Sequence, residues 1–331
     1  MKILVVSLGS IGRKHIQNLR KIDPTIEICV WRHSSSEAKI GEIVQHVDKV
    51  VYSEELALDW KPEIALLTCP ASLHVDVGLR LAVQGIHLFI EKPLSNSLNG
   101  IDELIERCSK RSLVLMVGYN FRFYQPLRVV KEAIDNGYVG RILYFRAEVG
   151  QYLPDWRPEK DYRATVSSQR KLGGGALLEL SHELDYSNWL IGDIKSVYAS
   201  LTHLSDLEID VEDNAEVIVE FKNGVIGSIH MDMVQRVPRR GCTIIGSEGT
   251  LVWNWADHSV KLYSANNQEG RNLFEGASYD RNSMYIEEMQ HFLDCVTKSQ
   301  IPIIDGEAGR RVVKTILAAK VSAEFGRMVV L

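Results

Sequence analysis

The segment SLGSIG, which begins at Ser7, has residue types and spacing that could bind a phosphorylated cofactor. It lies between an apolar run and a segment of helical periodicity, and glycine-rich turns in that position bind dinucleotides. Gly9 would let the backbone approach a pyrophosphate, and Gly12 would let the helix pack close to the strand. The amides of Ser10 and Ile11 would face the phosphate charge. Ser7 replaces the first glycine of the usual pattern, and a plain strand-to-helix turn is the alternative.

The residues after the second predicted strand bear on the choice between NAD and NADP. Sites selective for NAD usually place an acidic residue there, which accepts hydrogen bonds from the ribose 2'-hydroxyl. This chain has VWRHSSS instead, so Arg32 and His33 offer donors that suit a 2'-phosphate. We therefore expect a nicotinamide cofactor, NADP or NAD, with NADP favoured. A solvated loop would explain the same residues.

A lysine follows an apolar strand in the stretch LFIEKPL. Parallel sheets bind ligands at the carboxyl ends of their strands. Lys92 could donate a hydrogen bond to a substrate oxygen there and stabilise the negative charge that develops on it during hydride transfer. Glu91 and Lys92 could both contact the cofactor. A surface lysine in a turn is the alternative.

The stretch TCPASLH ends another strand of the same predicted sheet. Thr68 and Pro70 would lie at the same edge as Lys92, with His74 at the start of the following helix. These three residues are further candidates for cofactor binding. A histidine at a helix start more often makes local hydrogen bonds, which is the alternative for His74.

A second set of reactive side chains lies in the stretch GGGALLELSHELDYSNWL. At 100° per residue, one face of a helix would be apolar and the other would carry Glu179, His182, Glu183 and Tyr186. His182 could act as a general base toward an alcohol. Glu179, three residues earlier, could orient its imidazole, and Asp185 is the competing partner. A solvated helix face is the alternative.

The loop before these glycines is rich in aromatic and cationic residues. Aromatic rings can cover a sugar face, and arginines can clamp a carboxylate or a phosphate. We therefore expect an anionic sugar derivative as substrate, such as a sugar acid, sugar phosphate or nucleotide sugar. The candidate substrate contacts are Trp156, Arg157, Tyr162, Arg163, Arg122 and Tyr124. The alternatives are ion pairs with nearby acidic residues and, for the last two, core packing.

The elements that must position these residues follow two different patterns. Up to about residue 120, short apolar runs alternate with amphipathic stretches, which is typical of parallel βαβ units. The predicted strands are residues 2–7, 26–31, 63–68, 86–90 and 113–118. After the first strand, a helix that packs on the sheet is predicted by the spacing of Ile11, His15, Ile16 and Leu19.

In the second half, the pattern changes to the period of two that is typical of β-strands. Residues 216–233 alternate on either side of Asn223-Gly224, which predicts a hairpin. Further elements are predicted by similar alternation at 141–149 and 194–201 and by helical spacing at 125–137 and 306–325. These patterns predict a largely antiparallel sheet.

The fold class expected from both patterns is α/β, with two domains. Residues 1–121 would form an N-terminal Rossmann dinucleotide-binding domain. Residues 122–331 would form a second domain with a largely antiparallel sheet. The boundary rests on the change of periodicity near residue 120.

Composition argues against several other classes of protein. The 331 residues carry a net charge of -5 without a block of basic residues, so we expect no binding to nucleic acid or membranes. The five cysteines lack CxxC spacing, which indicates neither a disulfide framework nor a metal site. No secretory signal or apolar run of transmembrane length is apparent, so we expect a cytoplasmic protein.

Taken together, these motifs resemble one family, the Gfo/Idh/MocA group of glucose-fructose oxidoreductase, inositol dehydrogenase and rhizopine-catabolism proteins. The resemblance covers essentially the whole chain. It rests on the order and spacing of SLGSIGRKH, TCPASLH, EKPLS, GYNFRF, GGGALLELSHELDYSNWLIG, the KNG hairpin and GEAGRRVVKTILAAKVSAEFG.

The resemblance implies NAD(P)-dependent oxidation or reduction of a sugar, cyclitol or related polyol. It also implies that residues 122–331 form a C-terminal α+β domain for substrate binding and oligomerisation, with an open, mainly antiparallel sheet. Because that sheet would form the oligomer interface, we expect a homodimer or homotetramer. The family's catalytic lysine falls on Lys92 and its catalytic histidine on His182. The family usually has an aspartate four residues before this histidine, whereas this chain has Leu178 there and Glu179 one position later.

Two other activities are compatible with the same motifs. Biliverdin-reductase-like relatives imply reduction of a non-sugar carbonyl or imine. Relatives that act as transcriptional regulators imply a nicotinamide-binding protein without catalysis. The presence of both Lys92 and His182 favours an enzyme, because a sensor does not need proton transfer.

Overall fold

The computed structural model describes residues 1–32, 41–265 and 267–331. In the first part of the chain, the elements are β1 (Lys2–Val6), α1 (Ser10–Ile22), β2 (Glu27–Trp31), β3 (Lys49–Val51), α2 (Glu54–Asp59), β4 (Ile64–Leu67), α3 (His74–Val83), β5 (His87–Glu91), α4 (Ile101–Lys110) and β6 (Leu115–Gly118). The strands predicted here all appear, with ends that differ by up to two residues.

The second part begins with α5 and ends with a short edge strand. Its elements are α5 (Gln125–Asp135), β7 (Ile142–Gly150), α6 (Ala176–Glu179), α7 (His182–Ile191), β8 (Ile194–Thr202), β9 (Asn214–Phe221), β10 (Ile226–Asp232), β11 (Arg239–Gly246), β12 (Gly249–Asn254), β13 (Ser259–Ser264), β14 (Asn267–Phe274), α8 (Ser283–Lys298), α9 (Gly306–Phe325) and β15 (Val329–Val330). The last predicted helix has the bounds that its spacing indicated.

Within the described residues, β1 to β6 form a parallel sheet in the order β3-β2-β1-β4-β5-β6. The residues of β1 and β4 are almost wholly buried, as expected for a parallel sheet that is covered on both faces. The strand order reverses between β1 and β4, and open sheets of this kind bind ligands at the carboxyl ends of the strands beside such a reversal. The predicted Rossmann fold is confirmed.

The described strands β7 to β15 form a second sheet in the order β14-β13-β12-β11-β7-β10-β9-β8-β15. Its strand pairs are antiparallel except β7 with β10. β9 and β10 pair as the predicted hairpin, and Gly224 in its turn has a φ of +85°. On β9, Val217 and Val219 are fully buried, whereas Ile218 between them is 46% exposed. One face therefore belongs to the core, and the mainly antiparallel sheet is confirmed.

The described residues form two compact units. Each unit contains two separate stretches of the chain, so the units are not divided at a single boundary. The first comprises residues 1–120 and 282–311, and the second comprises residues 121–281 and 312–331. Residues 282–311 join the first unit because α8 packs on α1, where Asn282 and Asn18 exchange amide hydrogen bonds of 2.8 and 3.3 Å. Local periodicity contains no signal for such a return of the chain.

Three further features concern the cysteines, possible metal ligands and the helices of the described residues. The five cysteines are buried free thiols, and burial raises the pKa of Cys69 to about 12, which keeps it protonated and unreactive. In the described part of the chain, no cluster of three or more His, Cys, Asp or Glu side chains has the arrangement of a metal site. No described helix combines the length and apolar content needed to cross a bilayer.

Candidate active site

The turn after β1 contains a residue with a left-handed backbone conformation. Ser7 adopts a left-handed conformation with a φ of +76°, which glycine adopts at little cost and which accounts for glycine in the usual pattern. Its amide donates to the carbonyl oxygen of Trp31, 2.9 Å away. The Thr68 hydroxyl lies 3.0 Å from the carbonyl oxygen of Val6 and 3.1 Å from that of Ser7. The ends of β2 and β4 are thus fastened to this turn.

Gly9 and Gly12 have different surroundings. A Cβ atom at Gly12 would lie 2.8 Å from Oγ1 of Thr68 and 3.1 Å from the carbonyl oxygen of Ser7, so helix packing requires glycine there. A Cβ atom at Gly9 would meet no heavy atom of the described residues within 4 Å, its own chain neighbours aside. Glycine at that position is therefore not a requirement of protein packing, which fits a backbone that a phosphate approaches closely.

The other cofactor candidates in this region are Ser10, Ile11, Arg32 and His33. Ser10 and Ile11 are the first residues of α1, so their amides lie among those that helix geometry leaves without an intrahelical acceptor. Arg32 directly follows β2 and is 9% exposed, and its backbone amide donates to the carbonyl oxygen of Val51 at 2.9 Å. His33 lies outside the described residues.

Glu91 ends β5 and directly precedes Lys92. Its Oε1 atom lies 2.5 Å from Nε2 of His15 on α1, and that histidine is fully buried. Its Oε2 atom accepts a hydrogen bond of 3.2 Å from the backbone amide of Lys92. Both oxygens of this carboxylate therefore contact protein groups, which gives Glu91 a role in holding the segment around Lys92.

His74 also makes its contacts within the protein. It begins α3 and is 1% exposed, with Nδ1 3.0 Å from the carbonyl oxygen of Pro93 and Nε2 2.8 Å from that of Cys69. Burial lowers the pKa of His74, and the hydrogen bonds to the two carbonyls oppose that shift. The contact with Cys69 is of the local kind that the sequence allowed as the alternative role of His74, whereas Pro93 lies 19 residues away. Pro70 precedes the 3-10 turn that leads into α3.

In the second unit, packing explains why three glycines precede α6. Gly173 and Gly175 have φ values of +90° and +108°, which other residues adopt only with strain. A Cβ atom at Gly174 would lie 2.4 Å from the carbonyl oxygen of Val166. One at Gly175 would lie 2.4 Å from the carboxylate of Glu212. The glycines therefore let the chain enter α6 between a loop and a glutamate.

The single helix predicted after these glycines is wrong, because the structure has two. α6 ends at Glu179 and α7 begins at His182, so the two side chains do not share one continuous helix. The carboxylate of Glu179 accepts a hydrogen bond of 2.9 Å from the hydroxyl of Ser167, which is 2% exposed. Glu179 is thereby tied to the loop that precedes the glycines.

The solvated helix face that the sequence allowed as the alternative is not found in the structure. Glu183 and Tyr186 are fully buried, and Asp185 is 1% exposed. Glu183 accepts hydrogen bonds from Nε of Arg240 at 2.7 Å and from its Nη2 at 2.9 Å. A buried carboxylate is stable when it is paired in this way. Helical periodicity could not predict this, because the partner comes from β11, more than fifty residues away.

The imidazole of His182 is half-buried and stacks on the ring of Phe121, with centroids 4.6 Å apart and planes 26° apart. The guanidinium of Arg240 lies 4.6 Å from the centre of the same phenyl ring. The Trp255 ring packs against Phe121 as well, at 5.5 Å. Aromatic packing therefore fixes the orientation of His182, which is a requirement for a general base.

Arg122 and Tyr124 make core contacts in the structure, which is the alternative that the sequence allowed for both. Arg122 donates from Nη2 and Nε to Asp185, at 2.6 and 3.0 Å, and its side chain is 10% exposed. Tyr124 is fully buried, and its hydroxyl lies 2.5 Å from Nδ1 of His258. Burial raises the pKa of Tyr124 well above its usual value. Asp185, the competing partner for His182, is therefore held by an arginine.

The loop from β7 to the glycines contains the other predicted substrate contacts. Trp156, Arg157 and Tyr162 line a cavity of about 10 Å³, which is room for one water molecule. Arg163 is half-exposed and donates to Asp161 and Glu208, each at 2.9 Å. For Arg163, the structure gives the ion pairs that the sequence allowed as the alternative.

Three residues contact candidate site residues in ways that were not predicted from the sequence. His15 occurred among the core positions of α1, and a histidine in an otherwise apolar stripe was the signal for its buried contact. Phe121 belongs to the GYNFRF motif, but no spacing connects it to His182. Arg240 gave no local signal, because its importance depends on a glutamate on another element.

The fold and these groups define a nicotinamide-dependent oxidoreductase. Family models match two parts of the chain: residues 1–119 match an oxidoreductase family with an NAD-binding Rossmann fold, and residues 127–252 match the GFO/IDH/MocA C-terminal domain. Myo-inositol 2-dehydrogenase of Thermotoga maritima is 30% identical to this chain. The alignment covers 99% of this chain and 98% of the relative's chain. The chain belongs to the Gfo/Idh/MocA family, as the sequence motifs indicated.

Solved structures agree on the fold. Levoglucosan dehydrogenase in complex with NADH superimposes with a TM-score of 0.90 at 19% identity, over 100% of this chain and 98% of its own. The WlbA dehydrogenase from Bordetella pertussis, in complex with NADH and UDP-GlcNAcA, gives a TM-score of 0.84 at 22% identity, with the same coverage.

Proposed function

We propose that this protein oxidises a secondary alcohol of a cyclitol or sugar with NAD or NADP. When bound, the nicotinamide supplies the acceptor for the hydride that leaves the substrate carbon. Lys92 donates a hydrogen bond to the substrate oxygen and stabilises its developing negative charge. His182 accepts the hydroxyl proton, and Glu179 assists it from α6. The same groups serve the reverse reduction.

The observation that carries this proposal is the arrangement after β1, β4 and β5. The left-handed Ser7 and the open surroundings of Gly9 suit a dinucleotide pyrophosphate. Lys92 follows β5, which pairs with β4 in the parallel sheet. Cofactor-binding backbone and a candidate catalytic ammonium group thus belong to strand ends on the same edge of one sheet.

The ion pairs near His182 favour an uncharged polyol as substrate. Arg122 pairs with Asp185, and Arg240 pairs with Glu183, so each of these arginines is neutralised by a buried carboxylate. An arginine held in this way offers little net charge to a second anion. The relative from Thermotoga maritima is named for a neutral cyclitol, myo-inositol.

An anionic sugar derivative is the second candidate for the substrate. Arg157, half-buried beside Trp156, is the arginine that best supports it. The WlbA structure was solved with UDP-GlcNAcA, a nucleotide sugar. Competition assays distinguish the two candidates, because glucuronate or UDP-glucuronate would inhibit a site with an anion clamp and leave a neutral site unaffected.

Arg32 supports NADP as the cofactor, because a guanidinium at the end of β2 suits a 2'-phosphate. Its burial beside β3 would hold it at that position. Dissociation constants for NADPH and NADH, measured by fluorescence, test this preference. In an Arg32→Ala variant, the affinity for NADPH should fall while that for NADH stays within about twofold.

The open face of the second sheet supports a homo-oligomer. Its exposed side chains include apolar residues such as Tyr198, Ile218 and Ile226, at 43, 46 and 50% exposure. Apolar side chains on neighbouring strands suit burial against a second copy. Analytical ultracentrifugation gives the oligomeric state, and Ile218→Lys should shift it toward the monomer.

The activity itself is tested with a panel of polyols and both oxidised cofactors. Formation of NADH or NADPH is followed at pH 8 with myo-inositol, scyllo-inositol, levoglucosan, glucose and UDP-glucuronate. We expect turnover of at least one neutral cyclitol or sugar. Lys92→Ala should lower kcat by about a thousandfold and leave the Kd of NADH within about threefold, because the lysine acts on the transition state.

Near-wild-type turnover by Lys92→Ala would remove this residue from the mechanism. Tight dinucleotide binding without turnover of any polyol or carbonyl compound would favour a regulatory protein on the same scaffold. Turnover only with non-sugar carbonyls or imines, in the reductive direction, would support the reductase alternative. The second and third of these results each select one of the two alternative activities.

A further inference from the structure

Lys92 lies between two residues that are each held by a buried histidine. On one side, Glu91 is in contact with His15 from α1, with 2.5 Å between Oε1 and Nε2. On the other side, the carbonyl oxygen of Pro93 lies 3.0 Å from Nδ1 of His74 at the start of α3. These histidines are 0 and 1% exposed. They come from different helices and converge on one tripeptide.

The contact with His15 is transmitted to the backbone of Lys92. The second carboxylate oxygen of Glu91 accepts the amide hydrogen of Lys92 at 3.2 Å. Gly118 at the end of β6 leaves room for this carboxylate, since a Cβ atom there would lie 3.3 Å from Oε2 of Glu91 and 3.1 Å from the ring of Phe89. The same phenyl ring packs edge-on against His15, with centroids 5.3 Å apart. The carboxylate is therefore confined on several sides.

The surroundings of His15 select one tautomer. Nε2 faces the carboxylate of Glu91, whereas Nδ1 is buried without a hydrogen-bond partner among the described residues. An imidazolium would leave a buried N–H donor unsatisfied at Nδ1, which costs free energy. The neutral tautomer with the proton on Nε2 leaves only a lone pair there. His15 therefore donates to the carboxylate of Glu91 from Nε2.

The contacts of His74 fix the other end of the tripeptide to β4. Its Nε2 atom lies 2.8 Å from the carbonyl oxygen of Cys69, in the segment that follows this strand. Because Nδ1 faces the carbonyl oxygen of Pro93, the imidazole lies between the segments after β4 and β5, and in its neutral form it donates to one of the two carbonyls. The two histidines together connect the segment around Lys92 to α1, which begins at the phosphate-binding turn, and to the end of β4.

We propose that His15 and His74 are positioning residues for Lys92. This inference rests on the proposed function, in which Lys92 stabilises the substrate oxygen. The histidines hold the backbone on either side of the lysine, so that its ammonium group meets the substrate in one orientation. A displacement of about 1 Å in a catalytic group can lower the rate by about a hundredfold. Loss of His15 should therefore lower kcat with little effect on cofactor affinity.

The first experiment compares four variants in the full-length protein. His15→Phe keeps the ring packing and removes the donor, whereas His15→Gln places an amide donor near the position of Nε2. His74→Phe removes the second contact. His87→Phe is the matched control, because His87 lies at the other end of β5 and its Nδ1 accepts a backbone hydrogen bond of 2.9 Å from Val114.

We expect His15→Phe and His74→Phe to lower kcat by about 10- to 100-fold, with the Kd of NADH within about threefold of wild type. His15→Gln should restore most of the rate. The primary deuterium isotope effect on kcat, measured with the polyol that the panel identifies, should rise in the Phe variants because the hydride step becomes slower. The control should keep its kcat. Equal losses in all four variants, or no loss with His15→Phe, would overturn the proposal.

The second experiment does not depend on a substrate. In protein labelled with ¹⁵N-histidine, the NMR signals of His15 should show the tautomer protonated on Nε2, with a downfield proton that shifts upfield in Glu91→Gln. Protonation on Nδ1 would contradict the proposed contact.

If Lys92→Ala keeps full turnover, the proposed function fails whatever the histidines do. If Lys92→Ala is inactive and His15→Phe is fully active, only the positioning role fails.

Discussion

The carboxylate of Glu183 and the guanidinium of Arg240 form a two-point hydrogen-bonded ion pair, at 2.7 and 2.9 Å, inside the second unit. The glutamate is fully buried and the arginine side chain is 17% exposed. Glu183 directly follows His182, and Arg240 packs over Phe121, on which His182 stacks. The pair thus holds both the helix and the ring that orient the candidate base.

Removing one member of this pair should destabilise the protein strongly. Arg240→Met leaves the carboxylate of Glu183 buried without its counter-charge, so we expect the free energy of unfolding to fall by about 3–5 kcal/mol. The double variant Glu183→Leu, Arg240→Met should recover most of that loss, because it buries no charge. Urea denaturation followed by circular dichroism measures both changes.

The control for this prediction is Arg163→Met, which breaks an exposed ion pair with Asp161 and Glu208. Exposed pairs contribute little, so its urea midpoint should stay near that of wild type. If Arg240→Met and Arg163→Met have the same midpoint, the buried pair does not stabilise the second unit.

Gly9 and Gly12 should separate cofactor affinity from protein stability. Gly12→Ala places a methyl group 2.8 Å from Oγ1 of Thr68, so we expect a loss of about 1–3 kcal/mol in the free energy of unfolding. In Gly9→Ala, the added methyl group would have no described atom within 4 Å apart from its chain neighbours. The free energy of unfolding should therefore change by less than about 0.5 kcal/mol. Its methyl group would occupy space needed by the pyrophosphate, and the Kd of NADH should rise at least about tenfold.

Isothermal titration with NADH and thermal denaturation without it distinguish these two effects. If Gly9→Ala binds NADH like wild type, the pyrophosphate does not lie over this turn. If Gly12→Ala is as stable as wild type, Thr68 can move away and the close approach of helix to strand is not required.

The fold was predictable where patterns are local. The strand ending before Ser7 and the hairpin around Asn223-Gly224 could be read from apolar runs and turn residues, because period and turn chemistry depend on neighbouring residues. The return of α8 to α1 could not, because the contact of Asn282 with Asn18 joins residues that are far apart in sequence. The three-residue strand β3 was too short for a periodic signal.

The candidate site was predictable in its motifs and less so in its contacts. Lys92 lies at the predicted strand end, and the left-handed Ser7 accounts for a glycine in the usual pattern. The surroundings of His182 were not predictable, since Glu183 reads as a solvated position on a helical plot and becomes buried only because Arg240 on β11 pairs with it. Pairing between distant elements leaves no trace in local periodicity.

Ser7 should be a position where glycine stabilises the protein. Its φ of +76° is unfavourable for a residue with a side chain, so Ser7→Gly should raise the free energy of unfolding by about 0.5–1 kcal/mol. The control is Ser10→Gly in the first turn of α1, where glycine lowers helix stability. Thermal denaturation should therefore give shifts of opposite sign. A lower melting temperature for Ser7→Gly would mean that the serine hydroxyl makes a contribution larger than the backbone strain.

His230 on β10 should make stability depend on pH. Its Nδ1 lies 2.9 Å from a carboxylate oxygen of Glu216, and its Nε2 lies 3.1 Å from one of Asp232. Both nitrogens can donate only in the imidazolium. The hydrogen bonds to Asp232, which have the larger effect, and to Glu216 raise the pKa of His230 from its ordinary 6.5 to about 10. Burial opposes this shift. Glu148 on the paired strand β7 lies in register with it.

Because the folded pKa is raised, the stabilisation is complete below pH 6.5 and is lost as the pH rises through about 10. The side chain is 34% exposed, so screening reduces the effect to about 1 kcal/mol. The free energy of unfolding should therefore fall between pH 7 and 10 in wild type and fall less in His230→Asn. His46→Asn controls for loss of a histidine in the other unit. Parallel curves of unfolding free energy against pH for wild type and His230→Asn would mean that His230 is already neutral at pH 7. If the curves differ, 1 M NaCl should narrow the difference.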